Sequence, residues 1–139
     1  MYSFKTLATM LSFALTTVAT LVTYDIGYDD SGRTMEFVAC SDGPNGLIKN
    51  YGWSKQGDIT RFPYIGGAEA VEDWNSVNCG TCWSATYNDK TIYVLAIDHT
   101  EDGLNLGLEA MEDLTDGNAV HLGRIQADVY QVPISNCGL

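Results

Sequence analysis

The feature that most restricts this chain is its set of four cysteines. Cys79 and Cys82 are separated only by Gly80 and Thr81 in the segment Asn78-Cys79-Gly80-Thr81-Cys82-Trp83, with Cys40 well upstream and Cys137 well downstream. An even cysteine count reads as two disulfides in an oxidising compartment. Spacing alone leaves three pairings open. A Cys79 to Cys82 bridge would close a tiny loop and remove little unfolded-state entropy, whereas bridges from Cys40 and Cys137 into the central pair each restrain a long loop. Long bridges are therefore expected, and the fold has to bring residues 40 and 137 to one central segment.

The same segment superficially matches a papain-type nucleophile and a thioredoxin-like dithiol. A papain-type site needs its His and Asn about 130 residues downstream, and only 57 residues follow Cys82. The strand-like run after Trp83 also lacks the helix that either motif requires. The cysteines read as structural, and neither a nucleophile nor a metal ligand is expected among them.

Residues 1–19 read as a removed signal peptide. Lys5 supplies a positive start, Leu7 to Leu15 an apolar stretch, and Thr17-Val18-Ala19 small residues for cleavage. The apolar run is too short for a membrane span, so residues 20–139 are expected as one secreted domain, extracellular or in the cell wall. Without the leader's Lys5, six Lys and Arg face eighteen Asp and Glu, a formal charge of −12. Such a surface repels phosphate backbones, which excludes nucleic acid as a partner. Neutral polysaccharides remain open.

Along the chain, Leu21 to Asp25 and Met35 to Cys40 read as short strands of β-branched and aromatic residues, with a polar turn at Asp29 to Arg33 between them. Ser41 to Gly46 is a run of turn formers, and the chain from there to Asn78 reads as irregular, apart from a weak helical pattern over Ala68 to Trp74. Trp83 to Tyr87 and Thr91 to Ile97 form a hairpin around Asn88-Asp89-Lys90. Gly107 to Leu114 is helical, with Leu108, Met111 and Leu114 as its stripe, and Val120 to Val132 shows β alternation up to Pro133. Several short strands, little helix and no βαβ alternation point to a small barrel or sandwich.

Taken together, Val38 to Leu47, Ile65-Gly66-Gly67, Trp74-Asn75-Ser76, Asn78 to Trp83, Ala96-Ile97-Asp98, Leu104-Asn105, Gly123-Arg124 and Cys137 resemble the cerato-platanin family of small secreted fungal proteins. The resemblance runs from about Leu21 to Leu139. It implies a mainly β fold with short helices, a six-stranded double-ψ β-barrel similar to the first domain of expansins, with bridges Cys40–Cys79 and Cys82–Cys137. It implies binding of chitin-like N-acetylglucosamine oligomers and cell-wall glucans in a shallow groove, non-hydrolytic expansin-like wall loosening, elicitation of plant defence through a host receptor, and surface activity with self-assembly at interfaces by an otherwise monomeric protein. By position, it implies groove roles for Asp98, Asn105 and the turn Ser41, Asp42 and Gly43. His99 and Thr100 follow the aspartate where some members carry a Ser-Gly pair, so the rim there is expected to differ.

The residues themselves suit such a role. Asp98 ends an apolar strand, where its carboxylate can accept hydrogen bonds from sugar hydroxyls; the alternative is a turn-forming Asp. Asn105, between Leu104 and Leu106, has outward parity and can bond a sugar amide or hydroxyl, or cap the following helix. Tyr24 and Tyr28 lie where exposed rings could meet a sugar face, while Trp74 and Trp83 read as core beside the disulfides. Glycosidases normally use two carboxylates about 5 to 9.5 Å apart, and no second acid is marked out beside Asp98, so a binding protein rather than an enzyme is expected. His99 and His121 share no ligand spacing. Neither metal nor cofactor is expected.

Overall fold

The computed structural model describes residues 8–12 and 18–139; the cleavable leader expected over 1–19 falls mostly outside them. Six strands, β1 (Thr20–Tyr24), β2 (Ile65–Ala68), β3 (Cys82–Tyr87), β4 (Lys90–His99), β5 (Leu104–Leu106) and β6 (Ile125–Val132), close into a barrel in the order β1-β5-β2-β4-β3-β6. β1 runs parallel to β5 and β2 parallel to β4; the other neighbours are antiparallel. This is the six-stranded barrel that the resemblance implies, and both bridges form as it implies, Cys40–Cys79 and Cys82–Cys137. Among the described residues, no helix is long and apolar enough to cross a membrane.

β3 and β4 form the expected hairpin. Asn88 and Asp89 both adopt positive φ, 46° and 64°, the backbone that a two-residue hairpin turn requires and that Asn and Asp tolerate. β4 carries a long buried run: Ile92, Val94, Leu95, Ala96 and Ile97 are all buried. One face of such a run meets the barrel interior and the other the covering elements, so its sequence is a continuous apolar stretch rather than an alternation. Helix α2 (Leu108–Leu114) is part of that cover, burying Ala110, Met111 and Leu114. Leu108, expected in the buried stripe, is only half-buried.

Four expectations about local structure are corrected. Met35 to Cys40 is a 3-10 turn over Met35–Phe37 followed by bends, not a strand. Met35 and Val38, three apart, are buried, as is the disulfide-bonded Cys40, while Phe37 is 71% exposed; over Met35 to Val38 this is a helical rather than an alternating period. The segment expected to be irregular holds α1 (Leu47–Tyr51) and β2, while Ala68 to Trp74 forms turns beyond β2 instead of a helix. The stretch from Val120 is not strand throughout; α3 (Ala119–Leu122) precedes β6, which starts at Ile125.

β2 packs closely against both its neighbours. A Cβ on Gly66 would lie 2.2 Å from the Asn105 carbonyl oxygen, and one on Gly67 would lie 2.8 Å from that of His99. Only glycine lets this strand lie between β4 and β5 at such close approach. The register shifts between Gly66 and Gly67, so that Gly66 pairs with Ala96 and Gly67 with Asp98. Such a bulge re-aims the side chains beyond it.

Candidate functional site

The bulge places a polar row across four adjacent strands. Thr23 of β1 pairs with Asn105 of β5, Asn105 with Gly67 of β2, and Gly67 with Asp98 of β4. Residues paired across neighbouring strands share a face. Thr23, Asn105 and Asp98 are each half-exposed, flanked along their strands by the buried Val22, Leu104, Leu106 and Ile97. With two strand spacings of roughly 4.8 Å between them, Asp98 and Asn105 stand about 10 Å apart, and Gly67 between them carries no side chain. The row is thus a strip with the buried Gly67 at its centre and a polar group on each side.

Asp98 is held on both oxygens. Oδ1 accepts from the backbone N–H groups of Ala39 and His99, both at 2.9 Å, and Oδ2 accepts from the Tyr28 hydroxyl at 2.9 Å. Tyr28 sits in a 3-10 turn (Ile26–Asp29) that Asp25 caps by accepting from the Gly27 N–H. Burial, reinforced by the negative charge of Asp98, pushes the Tyr28 hydroxyl far above its ordinary range, so it remains a donor. Three donors on a carboxylate with about four lone-pair sites fix its orientation and leave acceptor capacity for a ligand. Asn105 accepts from the Thr23 hydroxyl at 3.0 Å through Oδ1, which leaves its Nδ2 as the donor to offer.

Tyr28, expected as an exposed ring, is 3% exposed and orients Asp98 instead. Tyr24 is half-buried at the end of β1, opposite Leu106. Asn105 does not cap α2. The free amides at that helix start, Leu108 and Glu109, donate to the Asp29 carboxylate at 2.6 and 2.9 Å.

The turn Ser41-Asp42-Gly43 leaves the row just beyond Ala39, with the Cys40 N–H donating to the Ile97 carbonyl. Ser41 is buried and its hydroxyl donates to Asp42 at 3.3 Å. Asp42 also accepts from the Trp74 indole N–H at 2.7 Å, and this bond holds its carboxyl below the usual carboxylate range. Trp74, expected in the core, is 54% exposed; Trp83 is half-buried, with its indole N–H donating to the Thr81 hydroxyl. His99 is exposed, its Nδ1 2.6 Å from the Val71 carbonyl oxygen. Among the described residues, no group of three or more His, Cys, Asp or Glu is arranged to hold a metal ion. A separate cleft of about 390 Å³, walled by Ala68, Trp83, Leu104 and Val129, includes neither Asp98 nor Asn105.

The family model for cerato-platanin matches residues 20–139. The chain belongs to the cerato-platanin family. A heat-stable 19 kDa antigen of Coccidioides immitis is 47% identical over 118 residues, covering 85% of this chain and 80% of that protein. The crystal structure of cerato-platanin 3 from M. perniciosa superposes with a TM-score of 0.83 at 41% identity, over 88% of this chain and 100% of that one. The solution structure of the fungal elicitor cerato-platanin superposes at 0.75 with 32% identity, over 84% of this chain and 95% of that one. The chain therefore shares its whole barrel with solved members of the cerato-platanin family, not a single motif.

Proposed function

We propose that this member of the family is a secreted, non-catalytic carbohydrate-binding protein. It takes N-acetylglucosamine oligomers, and related cell-wall glucans, along the strip formed by Thr23, Asn105, Gly67 and Asp98. The observation that carries the reading is the pre-set Asp98 carboxylate, in one cross-strand row with Asn105. A fixed acceptor and a fixed amide on either side of the strip match the alternating hydroxyl and acetamide groups of a β-linked chain, and a pre-organised site loses little entropy on binding. Ligand engagement along such a strip supports wall loosening by competition for hydrogen bonds between polymer chains, and recognition of the folded barrel by a plant host receptor is the elicitor role of this reading.

Titration of the disulfide-intact protein with chitin oligomers of increasing length, monitored by backbone amide shifts, tests it. Length-dependent shifts around Ala39, Asp98 and Asn105 that vanish in Asp98→Ala are expected. No shift with any oligomer would sink the sugar reading. Sustained, Asp98-dependent release of reducing ends from chitin would replace it with a glycoside hydrolase.

A second reading is favoured by the apolar side chains the surface carries: Ile26, Phe37, Val77 and Val120 are each at least 65% exposed. In that reading the protein acts at interfaces, or as an elicitor, through the whole fold. Surface-tension lowering that survives both Asp98→Ala and Asn105→Ala distinguishes it.

A further inference from the structure

Trp74 is the tryptophan that the fold leaves open, 54% exposed where Trp53 is 7% exposed. Its surroundings immobilise it by its edges. The indole N–H is bonded to Asp42 at 2.7 Å, the benzo edge lies against Gly43, where a Cβ would come within 2.9 Å of Cζ2, and the Trp74 backbone N–H donates to the Asp73 carboxylate at 2.7 Å. The next residue, Asn75, takes a left-handed φ of 62° and is tied twice to Asn45: its Oδ1 accepts from the Asn45 N–H at 2.8 Å, and its carbonyl from the Asn45 side-chain amide at 3.0 Å. Exposing so much of an indole forgoes about half of what its burial contributes to stability. Fixing it in place removes the ordering cost that a ligand stacking on it would otherwise meet.

The charged side chains that bond Trp74 or line the concavity beside it are acidic. The two segments that meet here, residues 34–48 and 62–89, contain no Lys or Arg. Asp42 bonds the indole N–H and Asp73 the Trp74 backbone N–H, and Glu72 and Asp73 line the concavity beside the ring together with Ser76, Val77 and Asn78. His99 approaches the same segment, with its Nδ1 at the Val71 carbonyl. An aromatic face with carboxylates beside it attracts a flat apolar surface that carries a positive charge.

We propose that Trp74, with Asp42, Glu72 and Asp73, forms a second saccharide platform that takes a glucosamine unit in its free ammonium form, as found in partly deacetylated chitin. The proposal rests on the preceding reading only in treating the ligand as a saccharide; the platform is separate from the Asp98 strip. The C–H face of the pyranose lies on the indole, and the ammonium bonds to the carboxylates beside it. Acetylation removes the charge, so N-acetylglucosamine keeps the stacking and loses the ionic contacts.

The test monitors the Trp74 indole N–H resonance of the disulfide-intact protein while it is titrated with a glucosamine tetramer and, separately, an N-acetylglucosamine tetramer. The pH is mildly acidic so that the sugar amine is protonated. At low salt the glucosamine tetramer is expected to bind about tenfold tighter than the acetylated one, an advantage largely lost near 1 M salt, where the screening length is about 3 Å. Asp42→Asn is expected to lower affinity and Trp74→Leu to abolish binding as followed at the Asn45 and Asn75 backbone amides, whereas Asp98→Ala leaves the indole response intact. An indole resonance unmoved by the glucosamine tetramer overturns the platform. Equal affinity for both tetramers overturns the ammonium preference, and loss of the response in Asp98→Ala overturns its separateness. Failure of the strip shows differently, as absent shifts at Ala39 and Asn105 with acetylated oligomers.

Discussion

Replacing Tyr28 by Phe removes a single hydroxyl and leaves the buried ring in place. The bond lost is the 2.9 Å donation to Asp98 Oδ2, and a hydrogen bond to a charged group contributes about 1.5–3 kcal/mol. Asp98 is half-exposed, so water reaches the released oxygen, and the expected loss falls to about 1–2 kcal/mol. For a domain of this size that lowers the unfolding midpoint by roughly 4–8 °C, at about 4 °C per kcal/mol. The pH dependence carries the same signature. Below about pH 10 the hydroxyl is protonated in both folded and unfolded chains; above it, the unfolded chain gives up its proton while burial and Asp98 keep the folded one protonated. This contribution is therefore complete below about pH 10 and is lost as the pH rises beyond it. Tyr28→Phe lacks that alkaline decline and has the flatter curve. Circular dichroism melts of both proteins, disulfides intact, at neutral pH and through the alkaline range, measure each effect. A neutral-pH midpoint changed by less than about 1 °C, with the amides of Ala39 and His99 unmoved, would refute the argument that Tyr28 orients Asp98.

Other perturbations separate the fold from the site. Asp29→Ala leaves the first amides of α2 without an acceptor and is expected to cost about 1 kcal/mol, with an upper bound near 2, while hydrogen exchange accelerates selectively at Leu108 and Glu109; unchanged exchange there would show that the cap contributes nothing. Gly66→Ala forces a Cβ to within 2.2 Å of the Asn105 carbonyl and is expected to destabilise by about 3 kcal/mol or more, in denaturant melts; a near-neutral result would mean that β2 and β5 separate easily. Reduction of both bridges, whose cysteines lie 39 and 55 residues apart, removes about 4 kcal/mol each on the chain-entropy account, and the reduced protein is expected to lose its near-ultraviolet circular dichroism at ordinary temperature.

Local chemistry decides which parts of the fold the sequence reveals. The β3–β4 hairpin is legible through Asn88-Asp89 between two strand-like runs, and α2 through its apolar period. The bridges are readable because the family likeness fixes a pairing that spacing leaves open. β2 is not readable, because Gly66-Gly67 has the composition of a turn and becomes a strand only through close approach to β4 and β5, which lie far along the chain. Met35 to Cys40 misleads for the opposite reason: its composition suits a strand, yet Met35 and Val38 bury with helical spacing, and Cys40 is drawn to Cys79. At the candidate site, the family likeness singles out Asp98 and Asn105, but not the residues that hold them. Thr23 and Gly67 join them only by register, and Tyr28 lies 70 residues from the carboxylate it holds. Trp74 defies its hydrophobic character because Asp42 and Gly43 hold it from its edges, contacts between segments about thirty residues apart.

The barrel's ring order makes its last strand the closing one. β6 lies between β3 and β1, so the earliest strand on the chain finds its second neighbour only after residue 125 has been made. A ribosome-bound chain ending short of Ile125 has both β1 and β3 with an unpaired edge, and Cys82 still awaits Cys137. Such edges are templates for pairing with another chain. During vectorial synthesis, therefore, two strand edges stay open until the C-terminal segment that closes them has emerged.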